Sequence, residues 1–209
     1  DSEAFLENWG ATELGKLAAD ERLKDFWTSQ QESIRTRLSD AGWQLSIKFE
    51  DLPQICSGQA AMGWIARPGQ EAKAYSLGLI IDVAGRDEQV ASLMSRVESE
   101  MSKIMAVAKS IKSGGNSIKH FALPKLPGDL RPRDSYYAVV NDQLLAADDL
   151  QTIEELIAAQ TTPRPDSLAK SAIYTQVQAR IGHDNDPVEV EYFVRPIGFG
   201  KLLRAVSGK

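Results

Sequence analysis

Residues 136–153 read Tyr136-Tyr137-Ala138-Val139-Val140-Asn141-Asp142-Gln143-Leu144-Leu145-Ala146-Ala147-Asp148-Asp149-Leu150-Gln151-Thr152-Ile153, and this stretch decides the fold class. Two apolar runs, Tyr136–Val140 and Gln143–Ala147, flank an Asn-Asp pair that tolerates the left-handed dihedrals of a two-residue hairpin turn. Asp148 with Gln151 then resembles a capping box, opening a helix through Leu150, Ile153, Leu156 and Ile157. A tight hairpin followed at once by an amphipathic helix implies antiparallel strands with a helix laid against them.

The same shape occurs upstream. Strands Ala60–Ala66 and Ala74–Val83 are joined across Arg67-Pro68-Gly69-Gln70, where Pro and Gly supply turn dihedrals. A long helix is expected from about Asp87 to Lys112, with Val90, Met94, Val97, Met101, Ile104, Ala108 and Ile111 spaced by four and three. That seam has the spacing of a partner-helix surface. Its Met- and Ala-rich composition and its end at Gly114-Gly115 favour a long helix lying on the sheet. Asn116–Leu123 reads as a further strand, and a Pro- and Arg-rich loop from Pro124 to Arg133 separates the two halves. The duplication is one of shape, with no fixed period. The expected fold is therefore α+β, an antiparallel sheet built from two hairpin-then-helix units, with helices packed mainly on one face.

Toward the ends, Asp20 is placed to cap a helix carrying Leu23, Phe26, Trp27, Gln30, Ile34 and Leu38, and Trp43–Phe49 alternates like a strand. After a linker at Thr161–Pro165, Asp166 or Ser167 is expected to cap a helix bearing Tyr174, Val177 and Ile181. Val188–Val194 alternates again. One α+β domain spanning 1–209 is expected. The start without Met or leader, and the apolar residues still pending over Ile197–Val206, suggest a fragment of a larger protein.

Of the 209 residues, 43% are apolar, enough to bury a core. The 24 basic and 29 acidic side chains leave a net charge of -5, with no basic stripe to neutralise a phosphate backbone, so nucleic acid is not an expected partner. Apolar runs such as Tyr75–Val83 are too short to span a bilayer, and no membrane insertion by this segment is expected. The single cysteine, Cys56, has no second thiol and reads as a small buried hydrophobe.

Several patterns resemble chemistry without completing it. Ser167-Leu168-Ala169-Lys170 fits a Ser-x-x-Lys signature, but Lys112-Ser113-Gly114 precedes that serine instead of following it, and no Ser-Asp-Asn is present. His183-Asp184-Asn185-Asp186, with Glu189 and Glu191 beyond, clusters oxygen donors suited to a hard cation, yet lacks the glycine and closing glutamate of a calcium loop. His120 has no local metal-ligand partner. Gly198-Phe199-Gly200 lacks the third glycine of a dinucleotide loop, where Leu203 stands, and reads as a bend. Of Trp9, Trp27, Trp43 and Trp64, at least two lie at core-periodic positions, so an aromatic platform is the weaker reading. On these residues no catalytic, cofactor-binding or metal site is assigned, and no cofactor is expected.

The opening Leu6-Glu7-Asn8-Trp9-Gly10-Ala11-Thr12-Glu13-Leu14-Gly15-Lys16-Leu17, followed by Phe26, the Leu38–Gly42 helix end and Glu50-Asp51-Leu52, resembles a family of exported bacterial proteins catalogued only as a domain of unknown function. Ser167-Leu168 with Tyr174 is similar to the second half of the same pattern. Members of that family often carry an acidic residue after the glycine that precedes the first hairpin; here the pair is Gly58-Gln59. The resemblance implies an export signal and further domains outside this piece, a periplasmic or extracellular location, and no particular activity. The expectation is a non-enzymatic interaction or scaffolding domain whose partners are other domains of the parent chain or envelope proteins. An envelope hydrolase, with His120 near Asp82 or His183 near Glu191, and a ligand carrier with a cleft between sheet and long helix are the alternatives.

Overall fold

The computed structural model describes residues 10, 11, 16, 20–23, 45–48, 51–67, 75–125, 133–162, 164, 165, 167–181, 191 and 193–207. Its centre is a six-stranded sheet of β1 (Ala60–Ala66), β2 (Tyr75–Asp82), β3 (Val107–Ser113), β4 (Asn116–Ala122), β5 (Asp134–Val140) and β6 (Gln143–Ala147). Every neighbouring pair is antiparallel, in the order β1-β2-β6-β5-β4-β3. The helices whose bounds lie among the described residues are α1 (Leu52–Ile55), α2 (Asp87–Lys103), α3 (Leu150–Ala159), α4 (Ala172–Ile181) and α5 (Pro196–Ser207). The α+β class and both hairpin-then-helix units stand as expected.

The helices do not share a face. Leu77 and Ile81 of β2, Leu144 and Ala146 of β6, Tyr137 of β5 and Phe121 of β4 pack with Val90, Leu93, Val97 and Met101 of α2. Their sequence neighbours point the other way, so that Leu145, Ala147, Tyr136, Ala138, Val140 and Ile118 meet Ile153 and Ile157 of α3. The expectation of helices mainly on one face is thus replaced by a three-layer arrangement. Its cause is visible in β6, where the four residues Leu144–Ala147 are all buried and both faces need cover.

The long helix is also shorter than its periodicity suggests. It ends at Lys103, and Ile104, Ala108 and Ile111 of the supposed seam fall in a turn and in β3. Met105 takes φ +60, Ala106 N donates to Met101 O at 3.0 Å, and Met105 N donates to Ser102 O at 3.0 Å. These two bonds form a Schellman closure with Met where Gly is usual. Gly114 and Gly115, at φ +56 and +82, then form the turn of a β3–β4 hairpin instead of a helix stop. Asn141 and Asp142, at φ +50 and +57, make the corresponding β5–β6 turn, as expected.

Leu45–Lys48 is irregular, not extended as alternation suggested, because Ser46 sits at φ +48. Leu45 nevertheless reaches the core, and its carbonyl accepts the Tyr137 hydroxyl at 2.6 Å. Asp20 does accept from Arg22 N at 2.9 Å, at the head of a 3-10 turn over Glu21–Leu23. The helix expected beyond it, and most of the strand expected at Val188–Val194, lie outside the described residues. Gly198-Phe199-Gly200 is helical, within α5, where Phe199 N donates to Arg195 O at 2.8 Å, so the expected bend is corrected.

Candidate functional site

The most convergent polar cluster lies where the end of β1 meets the start of α3. Arg67, just past β1, is 7% exposed; its Nη2 donates to Thr152 Oγ1 at 2.5 Å and its Nη1 to Glu155 Oε1 at 2.8 Å. Thr152 Oγ1 lies 2.5 Å from Ser76 Oγ, to which it donates, and Ser76 in turn donates to Asp148 Oδ1 at 2.6 Å. Asp148 also accepts from Leu77 N at 2.9 Å. The α3 N-cap is Asp149, whose Oδ2 accepts from Thr152 N at 3.1 Å, so the cap expected at Asp148 with Gln151 moves by one residue. Asp148 is instead spent on β2.

Burial alone would raise the Glu155 pKa, but hydrogen bonds from Arg67, Gln151 and Arg164, with the Arg67 charge, outweigh it and hold the carboxyl below its ordinary range. Arg67 Nε, 3.9 Å from Asp149 Oδ2, makes no hydrogen bond among the described residues, while cation and carboxylates of the cluster compensate one another in charge. Buried groups that hydrogen-bond among themselves fasten elements together. Nothing local in the sequence pairs position 67 with 152 and 155, and Arg67 reads there as a turn residue.

A second cluster joins β4 to β5. His120 stacks on Tyr136, ring centroids 4.5 Å apart and planes 6° from parallel, and its Nε2 lies 3.3 Å from Asp134 Oδ1. Tyr136 donates to Asp134 Oδ2 at 3.4 Å; burial first, and the Asp134 carboxylate second, push the phenol well above its usual range. The pairing of His120 with Asp82 considered from sequence is therefore replaced by one with Asp134. Asp82 accepts from Gln59 N at 3.0 Å and from Gln143 Nε2 at 2.7 Å, fixing the start of β1 and the β6 end to β2. A Cβ on Gly58 would lie 2.9 Å from Asp82 Oδ2, which is why the chain passes here as Gly58-Gln59.

The remaining candidates stay apart. Ser167 precedes a 3-10 turn at Leu168–Lys170; its carbonyl accepts from Lys170 N at 3.0 Å, and among the described residues no hydrogen bond joins its hydroxyl to the lysine ammonium. Lys112 and Ser113 stand on the edge strand β3, where Ser113 donates to Glu154 Oε1 at 2.9 Å. Cys56 is buried in the α2-side core, in keeping with a small hydrophobe. Glu191 accepts from the Tyr174 hydroxyl at 2.7 Å and from Gln178. His183, Asp184, Asn185, Asp186 and Glu189 lie outside the described residues, as do Trp9, Trp27 and Trp43. Among the described residues no three His, Cys, Asp or Glu side chains are grouped to hold a metal ion, and no helix is long and apolar enough to cross a membrane.

Two hollows exist. An open groove of about 370 Å³ between α1 and α2 is lined by Asp51, Gln54, Glu88, Gln89 and Ser92, with Arg96 held by Asp51 at 2.5 Å and Glu100 at 3.0 Å. A recess of about 160 Å³ beside Met94, Tyr137 and Leu144 lies where a carrier's cleft was considered, well below the several hundred Å³ usual for organic ligands.

Several large apolar side chains are exposed as well. Met62 (41%) and Trp64 (45%) stand out from edge strand β1, and Ile173, Ile197 and Phe199 from the C-terminal helices. No protein-family model, characterised protein or solved structure matches the chain.

Proposed function

We propose that this chain is a non-enzymatic interaction or scaffolding domain of a larger exported protein, working in the periplasm or outside the cell against other domains of its parent or envelope proteins. The observation that carries the reading is the exposure of Met62 and Trp64 on the uncharged edge strand β1. Contiguous apolar side chains on a strand edge are the usual mark of a contact surface. The compensated clusters around Arg67 and Asp82 support it, because their polar atoms join strand to helix and strand to strand. The export component rests on the resemblance of the opening residues.

A photo-cross-linking residue placed at position 62 or 197 of the full-length protein in its own cells tests the contact. Adducts to protein at these positions are the expected result. A chain that yields none at either site has lost the reading. Fractionation of the same cells tests the location, and recovery in the cytoplasm overturns it.

A further inference from the structure

The two edges of the sheet are built differently. β3 carries Lys109 and Lys112, the kind of charge that keeps an edge from pairing with another strand. β1, Ala60-Ala61-Met62-Gly63-Trp64-Ile65-Ala66, has neither charge nor proline over seven residues, and lies at the opposite limit of the sheet among the described residues. Its register with β2 puts Met62 beside Leu79 and Trp64 beside Leu77, so both large side chains stand on the α2 face with much of their surface in solvent. Ile65 is half-buried on the other face, where its Cδ1 would lie 3.5 Å from a Cβ on Gly78.

Resting on the interaction reading above, we infer that β1 pairs antiparallel with β1 of a second copy, about a two-fold axis at Gly63, joining two sheets into one. The order of side chains selects this occupant over an unrelated peptide. Reflected about Gly63, each Met62 faces Trp64 of the other copy, each Ala61 faces Ile65, and each Ala60 faces Ala66. Small therefore meets large at Ala61 and Ile65, no two bulky groups collide at Ala60 and Ala66, and at Met62 a thioether lies against an indole, a favourable contact. No charged group is brought beside its like. Gly63 adds the space that a symmetric centre needs, since a Cβ built there finds no atom within 4 Å. An isologous contact of this kind closes on itself and produces a dimer, not a fibre. One strand edge is a small interface, so the dimer is expected to be weak and dependent on concentration.

Sedimentation velocity of the purified chain, from micromolar to submillimolar concentration, reads the association directly. The expected result is a monomer–dimer equilibrium that Met62→Lys and Trp64→Lys each weaken by about tenfold or more. Both side chains are partly in solvent, and the variants are expected to keep the wild-type circular dichroism. Gly63→Cys, which sets a thiol opposite itself, should oxidise to a covalent dimer, while Lys109→Cys on the other edge should not. A chain that stays monomeric throughout, or a dimer indifferent to both lysines, overturns the self-pairing. If the cellular cross-links from position 62 then reach only other proteins, the broader interaction reading stands without it; if neither position 62 nor position 197 yields any, both fall.

Discussion

Arg67→Met removes the cation at the head of α3 while keeping most of its aliphatic bulk. The fully buried Thr152 oxygen loses a charged donor at 2.5 Å, a loss worth about 1–2 kcal/mol. Glu155, 23% exposed, loses the partner at 2.8 Å that offsets its burial, and partial solvation limits that loss to about 1–2 kcal/mol. Urea denaturation should therefore show a destabilisation of about 2–4 kcal/mol, and a double-mutant cycle with Glu155→Gln a coupling of at least about 1 kcal/mol. The pH dependence has a definite sign. Because the folded-state pKa of Glu155 is depressed, its contribution is complete above the ordinary carboxylate value near 4.5 and is lost as pH falls through the folded value. The gap between wild type and variant should accordingly be wide at neutral pH and shrink below about pH 4.5. A loss under about 0.5 kcal/mol at pH 7, or a gap independent of pH, would refute the view that this cluster fastens β1 to α3.

Three further substitutions probe other joints. Met105→Gly relieves a left-handed residue that is 77% exposed and packs little, so thermal denaturation should show stabilisation of about 1 kcal/mol; destabilisation would contradict the Schellman closure. Asp149→Ala should cost about 1 kcal/mol in chemical denaturation and Gln151→Ala much less, which separates the observed cap from the one read in the sequence. Gly58→Ala forces a methyl group against Asp82 Oδ2 and should cost about 1–2 kcal/mol, with faster hydrogen exchange at the Gln59 amide; an unchanged exchange rate would show that the loop yields freely.

Much of the sheet was legible because its signals are local. The Asn141-Asp142 turn and the Pro-Gly signal after β1 each specify their neighbours within a few residues. The end of α2 was not, since Ile104, Ala108 and Ile111 continue the three-four spacing by coincidence and the helix closes on a methionine where glycine would have announced the stop. The division of helices between two faces had a signal that periodicity alone overlooks: Leu144-Leu145-Ala146-Ala147 is apolar without interruption, as a strand covered on both sides should be. For the polar clusters no such signal existed. Arg67 finds Thr152 and Glu155, and His120 finds Asp134, only through pairing across the sheet.

The position of β6 between β2 and β5 sets the order of events during synthesis. β2 meets its inner neighbour through residues 61 to 69 positions later, at Asp82 with Gln143 and Gly78 with Ala147. A ribosome that has delivered the first hairpin and α2 has therefore made a half-sheet with an open apolar seam. Among the described residues β6 is the last strand to emerge and acts as a keystone, and a chain stopped short of Ala147 should remain a target for proteases and chaperones.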